Sequence, residues 1–209
     1  TFKTTITKNE KLLFKFLNYG LNLKLPLKSW NNNEWQRLWQ FNLHYFDWAR
    51  ESVDLYLEKK LIDEKLLYIP LLIEQWIEHN HLGNGDGWHS YTISLRLRNW
   101  IWILRTFPEI GNKKIISSIW QQTCWLSNHL ENANGGNHYL ENITSLIISS
   151  LQFESKESEI IYKKYLLKLK DELNNQILDD GGHEERTASY HILILDRLIE
   201  VGCCIKSIR

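Results

Sequence analysis

The sequence contains no methionine, only three prolines and only three cysteines, and its charge shows no excess of either sign. Its 25 basic and 25 acidic residues balance, so no basic surface for nucleic acid is predicted. No apolar run approaches the roughly 20 residues that a membrane-spanning helix needs, and no membrane span is expected. The odd number of cysteines, without a CxxC spacing, fits neither a zinc site nor a disulfide framework. We interpret Cys124, Cys203 and Cys204 as small buried side chains.

The missing methionine and the opening residues also limit what can be said about the whole protein. The first residues, TFKTTITKNEK, lack the apolar core of a signal peptide. Because even position 1 is not methionine, we interpret the chain as a segment of a longer protein, so the missing signal says little about the compartment. The length of 209 residues suffices for one domain with an ample core, and we expect a single domain over 1–209.

Aromatic residues, in contrast, are abundant, with ten tryptophans and nine tyrosines. Most of them must fill the core, but a flat aromatic face can also stack on a sugar ring. In a chain without a charge bias, this composition favours a carbohydrate partner over a nucleic acid.

The periodicity of apolar residues changes near residue 33. Alternation at 14–16 and 21–25 predicts a β-hairpin that turns through Gly20. From Glu34 onward the apolar residues recur every three or four positions, and we expect helices over 34–59, 63–80, 91–106, 112–131, 138–151, 155–177 and 187–205. Pro70 should kink or split the second of them. Short polar loops predict antiparallel helix hairpins in a mainly α chain, although periodicity cannot show whether the hairpins close into a ring.

Two glycine-containing interruptions each precede a new apolar run, and the first is ENANGGNHYLEN from Glu131. Asn137 is a natural N-cap, and His138 and Glu141 share one face of the following helix. A polar first turn explains this pattern as well as a site does. In the functional alternative, Asn137 and His138 are donors at a helix N-terminus, where anions are favoured, and Glu141 orients His138.

The second interruption is DDGGHEERTASYH from Asp179. Thr187 or Arg186 should begin the last helix, with Tyr190 and His191 in its first turn. Tyr190 is the candidate for a polar aromatic group aimed at a substrate, whereas the structural alternative is a capping loop with solvated charges. A less favoured alternative is a hard-metal site formed by Asp179, Asp180, Glu184 and Glu185, although the spacing of a calcium loop is absent. We expect neither a metal nor a cofactor, and we expect both interruptions to line one cleft.

A third group lies at 91–101, where Arg96, Asn99 and Trp100 share a helix face. An arginine beside an indole suits a carboxylated sugar, because the guanidinium can bind the carboxylate and the indole can stack on the ring. A surface arginine over a core tryptophan fits equally well. The segment 41–49 is similar, since Asn42, Tyr45 and Asp47 could form a wet face or the wall of a sugar subsite.

These segments also share an order that points to a family. The four are LWQFNLHYFDWA, YTISLRLRNWI, GGNHYLEN and GGHEERTASYHILILDRL, and the hairpin is followed by KSWNNN. In this order they resemble the N-terminal domain of the heparinase II/III-like polysaccharide lyases, over about Phe14 to Leu198. Each motif alone is weak, whereas four in order at suitable spacing are specific.

The resemblance implies an incomplete (α/α) toroid that is followed by β-sandwich domains lying outside this chain. Members cleave uronic-acid polysaccharides, such as heparan sulfate or alginate, by β-elimination. The family's Asn–His pair would fall on Asn137 and His138, its catalytic tyrosine on Tyr190, and a glutamate that matters in some members on Glu141. A further histidine or tyrosine normally comes from the sandwich. The implied partners are therefore an acidic polysaccharide and the C-terminal β-sandwich of the same chain, and the implied location is periplasmic or secreted.

The chemistry of β-elimination agrees with these residue types. Removal of the C5 proton builds negative charge on the uronate carboxylate, and amide and imidazole donors at a helix N-terminus can share that charge. A tyrosine can act as base and can protonate the departing O4 oxygen. We therefore predict as catalytic residues Asn137, His138 and Tyr190, and as substrate-binding residues Arg96, Asn99, Trp100, Tyr45, Glu141 and His191.

Two other functions stay open at this point. An (α/α) glycoside hydrolase would need two opposed carboxyl groups, for which Glu184 or Glu185 and Asp47 are the candidates. A toroid that binds carbohydrate without chemistry is the other. The two motifs offer amide, imidazole and phenol groups with one obvious carboxylate, and this set favours the lyase.

Overall fold

The computed structural model of the chain describes residues 2–3, 5–6, 10–131 and 136–208. Over these residues the chain is mainly α-helical, with one short antiparallel β-hairpin near the start, as the sequence predicts. The contacts divide the chain into two compact units, Thr1–Ile119 and Trp120–Arg209. No helix in the described ranges is both long enough and apolar enough to cross a membrane.

The order of elements follows the predicted order closely. The strands are β1 Lys11–Phe16 and β2 Tyr19–Lys24, and the helices are α1 Arg37–Tyr45, α2 Asp47–Lys59, α3 Glu64–His79, α4 Ser90–Thr106, α5 Lys113–Asn128, α6 Gly136–Ser150, α7 Lys156–Gln176 and α8 Ala188–Ile208. Short 3-10 turns occur at Asp86–Trp88 and Pro108–Ile110. Pro70 lies inside α3 without splitting it. The turn predicted to end at Gly136 falls largely on residues 132–135, which lie outside the described residues.

The hairpin turns two residues earlier than predicted. Leu17 and Asn18 form the turn, with φ of 52° and 64°, which is the left-handed geometry that matches the twist of the strands. Gly20 instead lies in β2, paired with Lys15. Leu12 and Phe14 of β1 are buried, and the residues between and beside them are exposed, so one face of the hairpin packs on the rest of the first unit.

The long helix expected over 34–59 is broken at Phe46. This residue has φ of 63°, which ends α1 and starts α2. The ring of Phe46 is fully buried and packs against three indoles, with centroid distances of 5.6 Å to Trp30, 4.9 Å to Trp48 and 5.3 Å to Trp100. The periodicity of apolar residues continues through the break, which explains why the sequence did not reveal it.

The C-terminal end of α1 is stabilised by two side chains of α4. The carbonyl groups in the last turn of a helix have no partner inside the helix. Nη1 of Arg96 lies 3.3 Å from the carbonyl oxygen of His44, and Nδ2 of Asn99 donates to that of Tyr45 at 2.9 Å. Nδ2 of Asn99 also donates to the carboxylate of Asp47, at 2.7 Å, so that this amide bridges the two helices at the break.

An aromatic core surrounds this junction in the first unit. Six of the ten tryptophans in the chain are buried: Trp30, Trp39, Trp48, Trp76, Trp88 and Trp100. Their burial confirms the expectation for most of the tryptophans, whereas only three of the nine tyrosines are buried: Tyr68, Tyr162 and Tyr165. The guanidinium of Arg96 is itself fully buried and lies 3.7 Å from the centroid of the Trp76 ring, which makes a cation–π contact enclosed by the protein.

His44 is the buried titratable residue of this core. Its Nδ1 accepts a hydrogen bond from Nε1 of Trp76 at 2.9 Å, and its Nε2 lies 3.1 Å from Oδ1 of Asn31, which assigns the proton to Nε2. Burial, with the positive charge of Arg96 as a second cause, lowers the pKa of His44 to about 3. The imidazole is therefore neutral in the folded protein.

In the second unit, α6 is the central helix and packs against both α7 and α8. Every residue of α6 from Leu140 to Ser150 is buried, although several of them are polar. The hydroxyl groups bond to their own helix: Thr144 donates to the carbonyl of Leu140 at 3.0 Å and Ser150 to that of Ile147 at 3.0 Å. These internal bonds allow the helix to be enclosed on all sides.

Replacing Asn99 by alanine tests its role at the junction. Asn99→Ala removes the hydrogen bonds to Tyr45 and Asp47, and the free energy of unfolding should fall by about 1–3 kcal/mol. Asn42→Ala is the matched control, because the amide of Asn42 donates within its own helix, to Leu38, at 2.8 Å. That control should change stability by less than about 0.5 kcal/mol in denaturant titration. Equal losses in the two variants would contradict the bridging role.

Acid should destabilise the protein through His44. The pKa of His44 in the folded protein lies near 3, below its ordinary 6.5, so the unfolded chain binds the extra proton first. This contribution to stability is fully present above about pH 6.5 and is lost as the pH falls toward 3, by up to about 1.4 kcal/mol per pH unit. Denaturant titrations of wild type and His44→Gln at several pH values measure the difference. The variant should lack this part of the slope, and identical slopes would contradict the assignment.

Candidate active site

Asn137 and His138 lie in the first turn of α6, which begins at Gly136. Nδ2 of Asn137 donates to Oε1 of Glu185 at 3.3 Å, and its buried Oδ1 has no hydrogen-bond partner among the described residues. Asn137 is therefore not the predicted N-cap, because its side-chain oxygen does not accept from the helix backbone. The side chain of His138 is half exposed, and its Nδ1 lies 3.3 Å from Oε1 of Glu131.

Glu141 occupies a different place from the one predicted. Its side chain is 1% exposed, and Oε2 accepts from Nε of Arg197 at 2.7 Å. The carboxylate at Nδ1 of His138 thus belongs to Glu131, whose backbone N–H donates to Oδ1 of Asn142 at 2.9 Å. We correct the expected role of Glu141 accordingly: it is enclosed and ties α6 to α8, and this burial removes it from direct contact with a glycan.

The start of α8 carries Tyr190 in its first turn, as predicted. Thr187 precedes the helix, and its Oγ1 lies 3.4 Å from the backbone nitrogen of Tyr190, in the manner of an N-cap. Tyr190 is 38% exposed, and its hydroxyl makes no hydrogen bond with any described residue. His191, the next residue, has an exposed side chain. The phenol is thus accessible to a substrate, and within the described ranges its hydroxyl is not engaged in a hydrogen bond.

The chain between α7 and α8 forms a small hairpin of its own. Ile177 and His183 form an isolated antiparallel bridge, and the backbone N–H of Glu184 donates to the carbonyl of Gln176 at 2.8 Å. The turn includes Gly181 at φ of 83°, a conformation that favours glycine. This hairpin brings Glu185 to the side chain of Asn137 and delivers the chain to the start of α8.

His183 is a buried residue of that hairpin, and the sequence did not single it out. It is 2% exposed, Nε2 lies 3.0 Å from Oε1 of Gln176, and Nδ1 accepts from the backbone N–H of Glu185 at 3.2 Å. Its ring centroid lies 6.2 Å from that of Tyr190. His183 thus contacts both the neighbour of Asn137 and the ring of Tyr190.

Sequence signals for these contacts were weak. The Asp-Gly step before His183 marks a turn, and a tight hairpin there would have paired the region of Gln176 with that of His183. For Glu131 and Arg197, by contrast, no local signal exists. Their contacts with His138 and Glu141 depend on how α6 meets its neighbours.

Most of the substrate-binding residues predicted in the first unit make contacts within that unit. Arg96 and Asn99 are buried and bind the end of α1, while the indole of Trp100 is fully enclosed and packs on Phe46 and Trp76. Stacking on a sugar requires an open indole face, so we correct Trp100 to a core residue. Tyr45 is partly exposed, with its ring stacked on Phe41 at 6.3 Å and 11°. It keeps a surface that a sugar could contact.

The carboxylates proposed as alternative metal ligands do not form a metal-binding cluster. Oδ1 of Asp180 accepts from the backbone N–H of Gly182 at 2.8 Å, and Glu185 contacts Asn137. In the described part of the chain no group of three or more histidine, cysteine or acidic side chains is arranged to hold a metal ion. Asp47, the proposed hydrolase carboxylate of the first unit, accepts from Asn99.

Comparison with known proteins yields one family and one similar structure. The family described as heparinase II/III N-terminus matches residues 8–207. None of the curated protein sequences matches the chain. Among solved structures, the heparan sulfate lyase HepC from Pedobacter heparinus is similar, with a TM-score of 0.70 and 21% identity. The match covers 94% of this chain and 32% of that one, so the chain spans about a third of the length of the solved lyase.

At this identity the likeness concerns the fold. It confirms the expected class, an incomplete (α/α) toroid of antiparallel helix hairpins with a short N-terminal β-hairpin. The family match extends over nearly the whole sequence, including both glycine-containing interruptions. The chain therefore belongs to the heparinase II/III family and corresponds to its N-terminal domain.

Proposed function

We propose that this chain is the N-terminal catalytic domain of a polysaccharide lyase that cleaves uronic-acid-containing glycans by β-elimination. Membership of the heparinase II/III family supports this proposal, as does the similar solved structure, which is that of a heparan sulfate lyase. The observation that carries it is the arrangement of Asn137 and Tyr190. The two residues lie in the first turns of two packed helices and are linked through Glu185 and His183.

In this proposal Asn137 and His138 share the negative charge of the substrate. An amide nitrogen carries two hydrogens, so Nδ2 of Asn137 can donate one to Glu185 and the other to a uronate carboxylate. Both residues sit at the N-terminal end of α6, where the helix dipole favours an anion. Charge that moves onto the carboxylate when C5 loses its proton is thereby stabilised, which lowers the barrier at the enolate stage.

Tyr190 is the proton-transfer group. Its deprotonated phenol takes the proton from C5, the bond between C4 and the glycosidic oxygen breaks, and a C4–C5 double bond forms. The phenol then gives its proton to the departing oxygen, so that no water is consumed. The partial exposure of Tyr190 gives a substrate access to this group. His191, which follows it at the start of α8, is proposed to contact the bound glycan, as is Tyr45.

The rest of the active site is proposed to come from outside the chain. The solved lyase is about three times as long as the matched segment, and the C-terminal β-sandwich of the parent protein is the proposed source of the missing group. The parent is proposed to act in the periplasm or outside the cell, where acidic polysaccharides are encountered. Heparan sulfate and alginate represent the proposed substrate class.

Tyr190→Phe in the full-length parent tests the proposal. The change removes one hydroxyl and keeps the ring, so thermal stability should stay nearly constant while turnover falls by at least about 100-fold. The measurement is the ultraviolet absorbance of the unsaturated uronate on heparan sulfate, alginate and hyaluronan. Tyr139→Phe is the matched control, since its hydroxyl contacts Lys168 and has no proposed role in the reaction.

Each outcome favours one function. Unsaturated product from wild type, lost in Tyr190→Phe and kept in Tyr139→Phe, supports the lyase and its base. Release of reducing ends without that absorbance identifies a hydrolase instead. Binding to the polymers without any cleavage identifies a carbohydrate-binding domain. A Tyr190→Phe enzyme with a normal rate removes Tyr190 from the mechanism.

A further inference from the structure

His183 is held by hydrogen bonds on both sides of its ring. Nδ1 accepts from the backbone N–H of Glu185 at 3.2 Å, so that nitrogen carries no proton. The proton therefore resides on Nε2, which donates to Oε1 of Gln176 at 3.0 Å. The amide of Gln176 is oriented in turn, because its Nε2 donates to Oε1 of Glu172 at 2.7 Å. One tautomer and one ring orientation satisfy all three contacts.

Burial makes these contacts persistent. His183 is 2% exposed and Gln176 is 1% exposed, so water does not compete for their hydrogen bonds. Leaving either group unsatisfied in such a site would be unfavourable, because a buried polar group without a partner has given up its hydrogen bonds to water. The hairpin of residues 177–186 is therefore fixed to the end of α7 by the ring as well as by its own backbone bonds.

The ring is connected to two of the three candidate catalytic residues, to Asn137 through Glu185 and to Tyr190 directly. His183 accepts a hydrogen bond from the backbone N–H of Glu185, and the carboxylate of Glu185 lies 3.3 Å from Nδ2 of Asn137. His183 contacts Tyr190 through ring packing. The centroids of the two rings lie 6.2 Å apart, and the angle between the ring planes is 33°. A shift of His183 would thus displace the amide donor and the phenol together.

We propose that His183 is a positioning residue for the reaction, one that sets the orientation of the Asn137 amide through Glu185 and confines the ring of Tyr190. This inference rests on the proposed lyase function. His183 does not touch the substrate and exchanges no proton with it. Its effect comes from geometry, because a displacement of about 1 Å at a reacting group can lower turnover by about 100-fold.

Two substitutions separate the two sides of the ring. In His183→Asn the side-chain oxygen takes the place of Nδ1, so the bond from the Glu185 N–H is kept and the donor to Gln176 is lost. In His183→Gln the side-chain nitrogen takes the place of Nε2, so the donor to Gln176 is kept and the acceptor for Glu185 is lost. Both variants lose the aromatic ring and one buried hydrogen bond, which makes them a matched pair in stability.

The experiment measures kcat, KM and the melting temperature of both variants in the full-length enzyme on the polymer that wild type cleaves. His183→Gln should lower kcat by about 10- to 100-fold with KM changed far less, because the Asn137 amide loses its orientation. His183→Asn should retain at least about five times the kcat of His183→Gln, although the two melt at similar temperatures. Equal kcat values, or a loss that simply follows the melting temperature, would overturn the proposal.

A structural measurement keeps the inference testable apart from activity. Crystal structures of the two full-length variants should show the contact between Asn137 and Glu185 kept in His183→Asn and lost in His183→Gln. If the contact survives in both variants, the link through Glu185 is wrong whatever the rates. If wild type produces no unsaturated uronate, the proposed function fails, while the structures still decide whether His183 orients Asn137.

Discussion

The first unit depends on how a helix can end inside an apolar core. The last carbonyl groups of α1 lie next to a dense cluster of indoles, where water cannot serve as donor. Arg96 and Asn99, one turn apart on α4, supply the hydrogen bonds, and Asn99 also holds the first residue of α2. This requirement explains an otherwise unusual fact, a fully buried arginine in the middle of a helix. The aromatic core can form around the junction because the carbonyl groups at the end of α1 have hydrogen-bond donors there.

In the second unit, too, buried polar groups need hydrogen-bond partners within the protein. The loop between α7 and α8 must reverse direction beside a buried surface, and His183 and Gln176 satisfy each other there. Glu141 and Arg197 do the equivalent between α6 and α8, as a charge pair with the carboxylate almost fully enclosed. Breaking such a pair typically costs several kcal/mol, since a buried charge is left uncompensated. The candidate active site is built on these satisfied polar contacts.

Much of this architecture could be predicted from the sequence. Periodicity located most of the helices and the hairpin because burial of one face imposes a fixed spacing on apolar residues. The break at Phe46 escaped, since an aromatic residue with positive φ looks like any other core position. The burial of the α4 face could not be predicted either. A face that binds substrate and a face that packs on another helix have the same spacing, which here is that of Arg96, Asn99 and Trp100. Asn137 and Tyr190 could be proposed from the sequence because each follows a glycine-containing interruption, whereas His183 required three-dimensional contacts that only the folded chain provides.

At Phe46 the backbone conformation and the packing of the side chain favour different residues. A side chain in the left-handed region raises the energy of the backbone by about 1–2 kcal/mol, and glycine would avoid that strain. Replacing a buried phenylalanine by a small residue, however, typically costs about 3–5 kcal/mol. The stabilisation from packing exceeds the backbone strain, so a phenylalanine at this position is favourable despite its positive φ. Position 46 therefore has few acceptable residues during divergence, because any substitute must tolerate positive φ and also fill the space among three indoles.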